Sequence, residues 1–101
     1  MMELDRFTVV FLLLRADYVP SADDEQIQLD HMAHLEALRA RGKMVAAGPT
    51  GGEKLRGIAI FNTDVEETTR IMQEDPAVRA GWFDLEITPW LVPKGEINTQ
   101  T

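Results

Sequence analysis

The run Phe7-Thr8-Val9-Val10-Phe11-Leu12-Leu13-Leu14 constrains this chain more than any other stretch. Its β-branched and aromatic content over so short a length predicts a strand across Arg6 to Arg15. Side chains alternate across a strand, so Phe7, Val9, Phe11 and Leu13 take one face and Val10, Leu12 and Leu14 the other. Both faces are apolar, and such a strand must be covered on both sides. A chain of 101 residues makes one domain. A domain of that size has few elements to spend on two layers of cover.

The rest of the sequence supplies one layer. Ser21 is a natural N-cap, with Asp23, Asp24 and Glu25 in a first helical turn, where the helix dipole favours acids. This predicts a helix to about Arg41, stopped by Gly42. At about 100° per residue, Ile27, His31, His34, Leu35 and Leu38 share its apolar face. Lys43 to Ala47 reads as a second strand ended by the loop Gly48-Pro49-Thr50-Gly51-Gly52. Leu55 to Phe61 reads as a third strand. Asp64 with Glu67 opens a second helix from Val65 to about Glu74, and Asp75-Pro76 breaks it and starts a short further turn to Ala80. Trp82 to Trp90 reads as the fourth strand, with Phe83, Leu85 and Ile87 inward. The core spans about residues 6–92, followed by a polar tail over 93–101.

The order β-α-β-β-α-β is ferredoxin-like: a four-stranded antiparallel sheet with both helices on one face. The first strand remains apolar on the other face. A second copy of the chain, packed on the open sheet face, is the expected cover.

Charge and composition narrow the function. There are 17 acidic against 10 basic residues, a net charge of −7, which opposes nucleic acid or an anionic membrane as a partner. Cysteine is absent, so thiol chemistry, disulfides and thiolate metal sites are excluded. The opening Met1 to Arg6 carries acids where a signal peptide has bases, and the apolar run is too short to span a bilayer as a helix. The expected location is cytoplasmic.

Two histidines stand three residues apart on one helix face, His31 and His34. They suit a metal site, proton transfer near neutrality, or an edge of the core with satisfied hydrogen bonds. No third ligand is marked by spacing, so no metal is assigned. Asp75 has two readings as well. An Asp before Pro is what a helix N-cap needs, and Arg79 lies within ion-pair reach. Alternatively, Asp75 orients the His31 imidazole. Arg15 and Arg56, at strand ends, suit a substrate carboxylate or a solvated edge. Trp82 and Trp90 suit an aromatic ligand wall or a subunit contact. The glycine-rich loop lacks the residues of a phosphate cradle.

An ordered set of segments resembles the YCII-related family: His31-x-x-His34-Leu35-x-x-Leu38, Gly42-Lys43, Ala47-Gly48-Pro49, Gly57-Ile58-Ala59-Ile60-Phe61 and Asp75-Pro76-Ala77-Val78-Arg79-Ala80-Gly81. The similarity covers about residues 7–91. It implies a dimeric α+β barrel, and a His-Asp pair in a cleft that maps onto His31 and Asp75. His34 falls where the family varies and ranks as a substrate-binding candidate with Arg15, Arg56, Trp82 and Trp90. The acidic loop Asp17 to Glu25 departs from the family pattern and is expected to form a cleft wall. The implied function is general acid-base proton transfer, an isomerisation or elimination on a cyclic or aromatic-derived substrate, with no cofactor. The alternative is a non-catalytic dimer that binds a small ligand or a protein.

Overall fold

The computed structural model describes residues 2–97. The elements are β1 (Leu4–Leu14), α1 (Asp24–Ala40), β2 (Met44–Pro49), β3 (Leu55–Phe61), α2 (Val65–Gln73), α3 (Pro76–Arg79) and β4 (Phe83–Pro93). The four strands form one antiparallel sheet in the order β2-β3-β1-β4. This is the ferredoxin-like β-α-β-β-α-β arrangement that the pattern of elements predicts.

The core lies between the sheet and the helices. Val10 and Leu12 of β1, Ala59 and Phe61 of β3 and Met44 of β2 pack with Leu38 of α1 and Met72 of α2. Phe83, Leu85 and Ile87 of β4 border this cluster. In α1, Ile27, His31, His34, Leu35 and Leu38 are withdrawn from solvent, as their shared face requires, and Leu38 is buried. Thr8 fastens the sheet to the start of α2, donating to the Thr63 carbonyl at 2.6 Å.

The opposite sheet face carries Phe7, Val9, Phe11 and Leu13 of β1, Ile58 and Ile60 of β3 and Trp90 of β4, as the cross-strand register dictates. No described helix covers it. Phe11, Leu13, Ile58 and Ile60 are half-buried, and Trp90 is 42% exposed.

Two helices end in Schellman motifs, each with glycine in the left-handed region. After α1, Gly42 (φ 73°) donates to Arg39 O and Lys43 to Leu38 O. After α3, Gly81 (φ 82°) donates to Val78 O and Trp82 to Ala77 O. The second motif turns the chain directly into Trp82 and β4.

Three expectations about element ends are corrected. Ser21 is not the N-cap of α1. The cap position is Asp23, and Ser21 instead bonds the Asp23 amide and the Asp24 carboxylate as part of the preceding loop. Gly48 and Pro49 continue β2 rather than ending it, because β2 is an edge strand and an edge tolerates proline. β4 runs on to Pro93, also along an edge, and Lys94 donates to Glu3 O. The expected tail thus begins by pairing back on β1, and residues 98–101 lie outside the described residues.

Candidate active site

His31 and Asp75 meet. Both Asp75 oxygens lie 2.8 Å from His31 Nδ1, across 44 residues of sequence. The Asp75 side chain is fully buried and that of His31 is 12% exposed. The local fold explains the meeting. Asp75-Pro76 separates α2 from α3, Pro76 starts α3, and α3 packs against α1.

Asp75 occupies the N-cap position of α3 with an extended backbone, yet its side chain makes no cap bond. Among the described residues its side chain meets His31, not Arg79. The capping reading of this residue is therefore set aside. A buried carboxylate needs a partner that offsets its lost hydration, and here that partner is the imidazole. An ionised carboxylate only accepts, so His31 donates from Nδ1. Nε2 then carries the free lone pair and has no hydrogen-bond partner among the described residues.

His31 lines a cleft of about 610 Å³ between α1 and the β2–β3 end of the sheet, within the range of roughly 300–1,000 Å³ usual for small-molecule sites. One wall is aromatic. The Phe83 ring lies 6.3 Å from the His31 ring, Trp82 stands edge-on to Phe83 at 6.0 Å, and Tyr18 stands edge-on to Trp82 at 5.8 Å. Tyr18 comes from the acidic loop before α1 and is the one residue of Asp17 to Glu25 that lines the cleft. Its hydroxyl donates to Asp24, which also accepts from Ser21. That hydrogen bond, with burial, holds the Tyr18 phenol above its ordinary range, and the same bond holds the Asp24 carboxyl below its own.

The other sequence-predicted residues divide. Trp82 and Arg56 line the cleft. His34 does not. Its Nε2 donates to the Ile71 carbonyl at 3.2 Å, and it borders a separate hollow with Lys43 and Glu67. The two imidazoles thus do not converge, and among the described residues no three His, Asp or Glu side chains gather around one point. Arg15 is held by Asp17 and Asp84, each at 2.9 Å, and stands outside the cleft. These acids hold its guanidinium above the ordinary range, and Arg15 in turn holds the Asp17 carboxyl below its own. Trp90 belongs to the open sheet face, on the side away from the cleft floor. Within one chain, then, His34, Arg15 and Trp90 do not share a site with His31. Tyr18 does, and its signal in the sequence was its place as the single aromatic side chain of the acidic loop.

The YCII-related domain matches residues 9–91, and the chain belongs to that family. Among solved structures, it is similar to a 5-chloro-2-hydroxyhydroquinone dehydrochlorinase from Burkholderia phenoliruptrix AC1100, in complex with 2,5-dihydroxybenzoquinone. The identity is 19% and the TM-score 0.59, over 83% of this chain and 92% of that one. A dimeric protein of unknown function and ferredoxin-like fold from Bacteroides fragilis NCTC 9343 is similar at 16% identity and TM-score 0.48, over 89% and 98% of the two chains. A hydroxynitrile lyase from Passiflora edulis is similar at 12% identity and TM-score 0.45, over 88% and 94%. No curated protein matches the sequence. These likenesses concern the fold. No helix among the described residues is long and apolar enough to cross a membrane.

Proposed function

We propose that this YCII-related protein is a small-molecule enzyme in which His31 moves a proton and Asp75 positions it. The supporting observation is Asp75 itself: fully buried, at a helix start it does not cap, with both oxygens on His31 Nδ1. Such a carboxylate fixes the ring tautomer and offsets the charge that arises when Nε2 accepts a proton. Nε2 would take a proton from a carbon beside a carbonyl. The C–H electron pair becomes an enolate. In an isomerisation, the proton returns to another carbon. In an elimination, the electron pair moves on to expel a leaving group such as chloride, and the proton passes from His31 to water. Neither route requires a cofactor. Trp82, Phe83 and Tyr18 would wall the substrate.

The working unit is a homodimer. Phe11, Leu13, Ile58 and Ile60 are half-buried on a sheet face that no described helix covers, and a two-fold copy is the simplest cover. Sedimentation at micromolar concentration should give twice the chain mass, and a stable monomer would contradict this.

The test of the enzyme reading is turnover of enolisable and halogenated cyclic compounds, beginning with chlorinated hydroxyquinols, the class for which the similar dehydrochlorinase is named. His31→Ala should lower the rate by about 10²–10⁴. An active protein indifferent to that change would sink the assignment. Ligand binding without turnover of any such compound would favour the non-catalytic dimer.

A further inference from the structure

The cleft is hollow because its floor is made of small residues. Ala47 of β2 and Gly57 and Ala59 of β3 lie there beside Leu12 and Leu14 of β1. Gly57 is not in the left-handed region, so its backbone does not call for glycine. A Cβ at Gly57 would meet Leu12 Cδ1 and Gly48 O at 3.5 Å, ordinary contact distance. A side chain would therefore fit, and glycine inside a strand weakens it. The missing Cβ leaves room at the floor of the cleft, which Trp82 and Phe83 also line.

The charge of the cleft runs against that of the chain. The protein carries a net charge of −7. The cleft is lined by two arginines, Arg39 and Arg56, and one carboxylate, Glu36, which lies 3.5 Å from Arg39. Arg56 is left without a carboxylate partner among the described residues. It is nevertheless anchored, since its Nε donates to Glu53 O at 2.7 Å. The remaining guanidinium N–H groups are free to form a two-pronged contact with a carboxylate.

We infer that the cleft takes a flat, ring-sized carboxylate, the ring lying over Gly57 beside Trp82 and Phe83 and the anionic group on Arg56. This deepens the enzyme reading and rests on it in one respect: the ring is then the part of the substrate offered to His31.

The experiment is a titration of the full-length protein, followed by amide and indole NMR, with benzoate and with its neutral counterpart benzamide. Benzoate should shift Gly51, Gly57 and the Trp82 indole and bind more tightly than benzamide. Arg56→Gln should weaken benzoate about tenfold, the scale of one lost charge-assisted contact, and leave benzamide unchanged. Gly57→Val should weaken both ligands. Gly57→Ala, whose methyl meets only ordinary contacts, provides a milder variant that keeps the fold. Equal affinity for the two compounds, indifference to Arg56→Gln, or shifts outside the cleft would overturn the inference. So would unchanged binding in both Gly57 variants. Those failures leave the His31 reading standing if His31→Ala still abolishes turnover. Conversely, Arg56-dependent binding with turnover indifferent to His31→Ala would uphold the ligand class and remove the enzyme reading.

Discussion

His31 and His34 leave the same face of α1 less than one turn apart, yet they enter different chemistry. His31 donates to a fully buried carboxylate and borders the large cleft. His34 donates to a backbone carbonyl, Ile71 O, and borders a small hollow beside the Lys43–Glu67 ion pair. Two imidazoles at i,i+3 thus share a face without sharing a destination, because Asp75, in the turn between α2 and α3, meets one ring and Ile71 of α2 meets the other. The difference separates a histidine coupled to a buried charge from one that satisfies the backbone.

The sharpest way to break this comparison is turnover. On a substrate that His31→Ala no longer converts, His34→Ala should leave the rate unchanged, and equal losses would erase the distinction. Stability should divide the same way. His31→Ala strands the Asp75 carboxylate and should cost about 3–5 kcal/mol, the scale of breaking a buried pair. His34→Ala removes one hydrogen bond to a carbonyl and should cost about 0.5–1.5 kcal/mol. Urea unfolding of the two variants checks this.

A smaller effect distinguishes the two glycine stops. Gly42→Ala and Gly81→Ala each force a Cβ into the left-handed region, at about 1–2 kcal/mol apiece. Only Gly81 feeds directly into Trp82 and the cleft, so only Gly81→Ala should shift the Trp82 fluorescence and the His31 ring signals.

The smallest effect lies at the cleft mouth. The protein has one tyrosine, so its ionisation is read directly by absorbance. The hydrogen bond to Asp24 holds the Tyr18 phenol above its ordinary range, near 10 for a free tyrosine. The folded state then keeps a proton that the unfolded chain releases. Its contribution is complete below that ordinary value and is lost as pH rises through the folded one. Asp24 is lowered by the same bond, so its contribution holds above the ordinary carboxylate range and is lost as pH falls through its folded value. Asp24→Asn should bring the phenol titration downward, and an unmoved titration would separate the two residues.

Much of the fold was legible from local signals. The two-sided apolar run predicted the β1 strand, Gly42 ended α1, and Asp64 caps α2 through the Glu67 amide as its spacing suggests. The pair was legible only through family resemblance, because Asp-Pro reads equally well as a cap, and the choice between cap and partner depends on how α3 lies against α1. The edges of β2 and β4 ran longer than expected because an edge strand absorbs proline. Arg15 and Trp90 looked available for a ligand because sequence does not show that Asp17 and Asp84 engage the first, or that the second faces away from the cleft floor.

The most direct measurement is long-range ¹H–¹⁵N NMR of both imidazoles, at a pH high enough for neutral rings. Opposite tautomers are expected on one helix: His31 protonated at Nδ1 with Nε2 bare, and His34 protonated at Nε2. A His31 ring with bare Nδ1 would mean that Asp75 donates to it rather than accepts. The pair would then not hold a base ready at Nε2, and His31 would not be the proton acceptor.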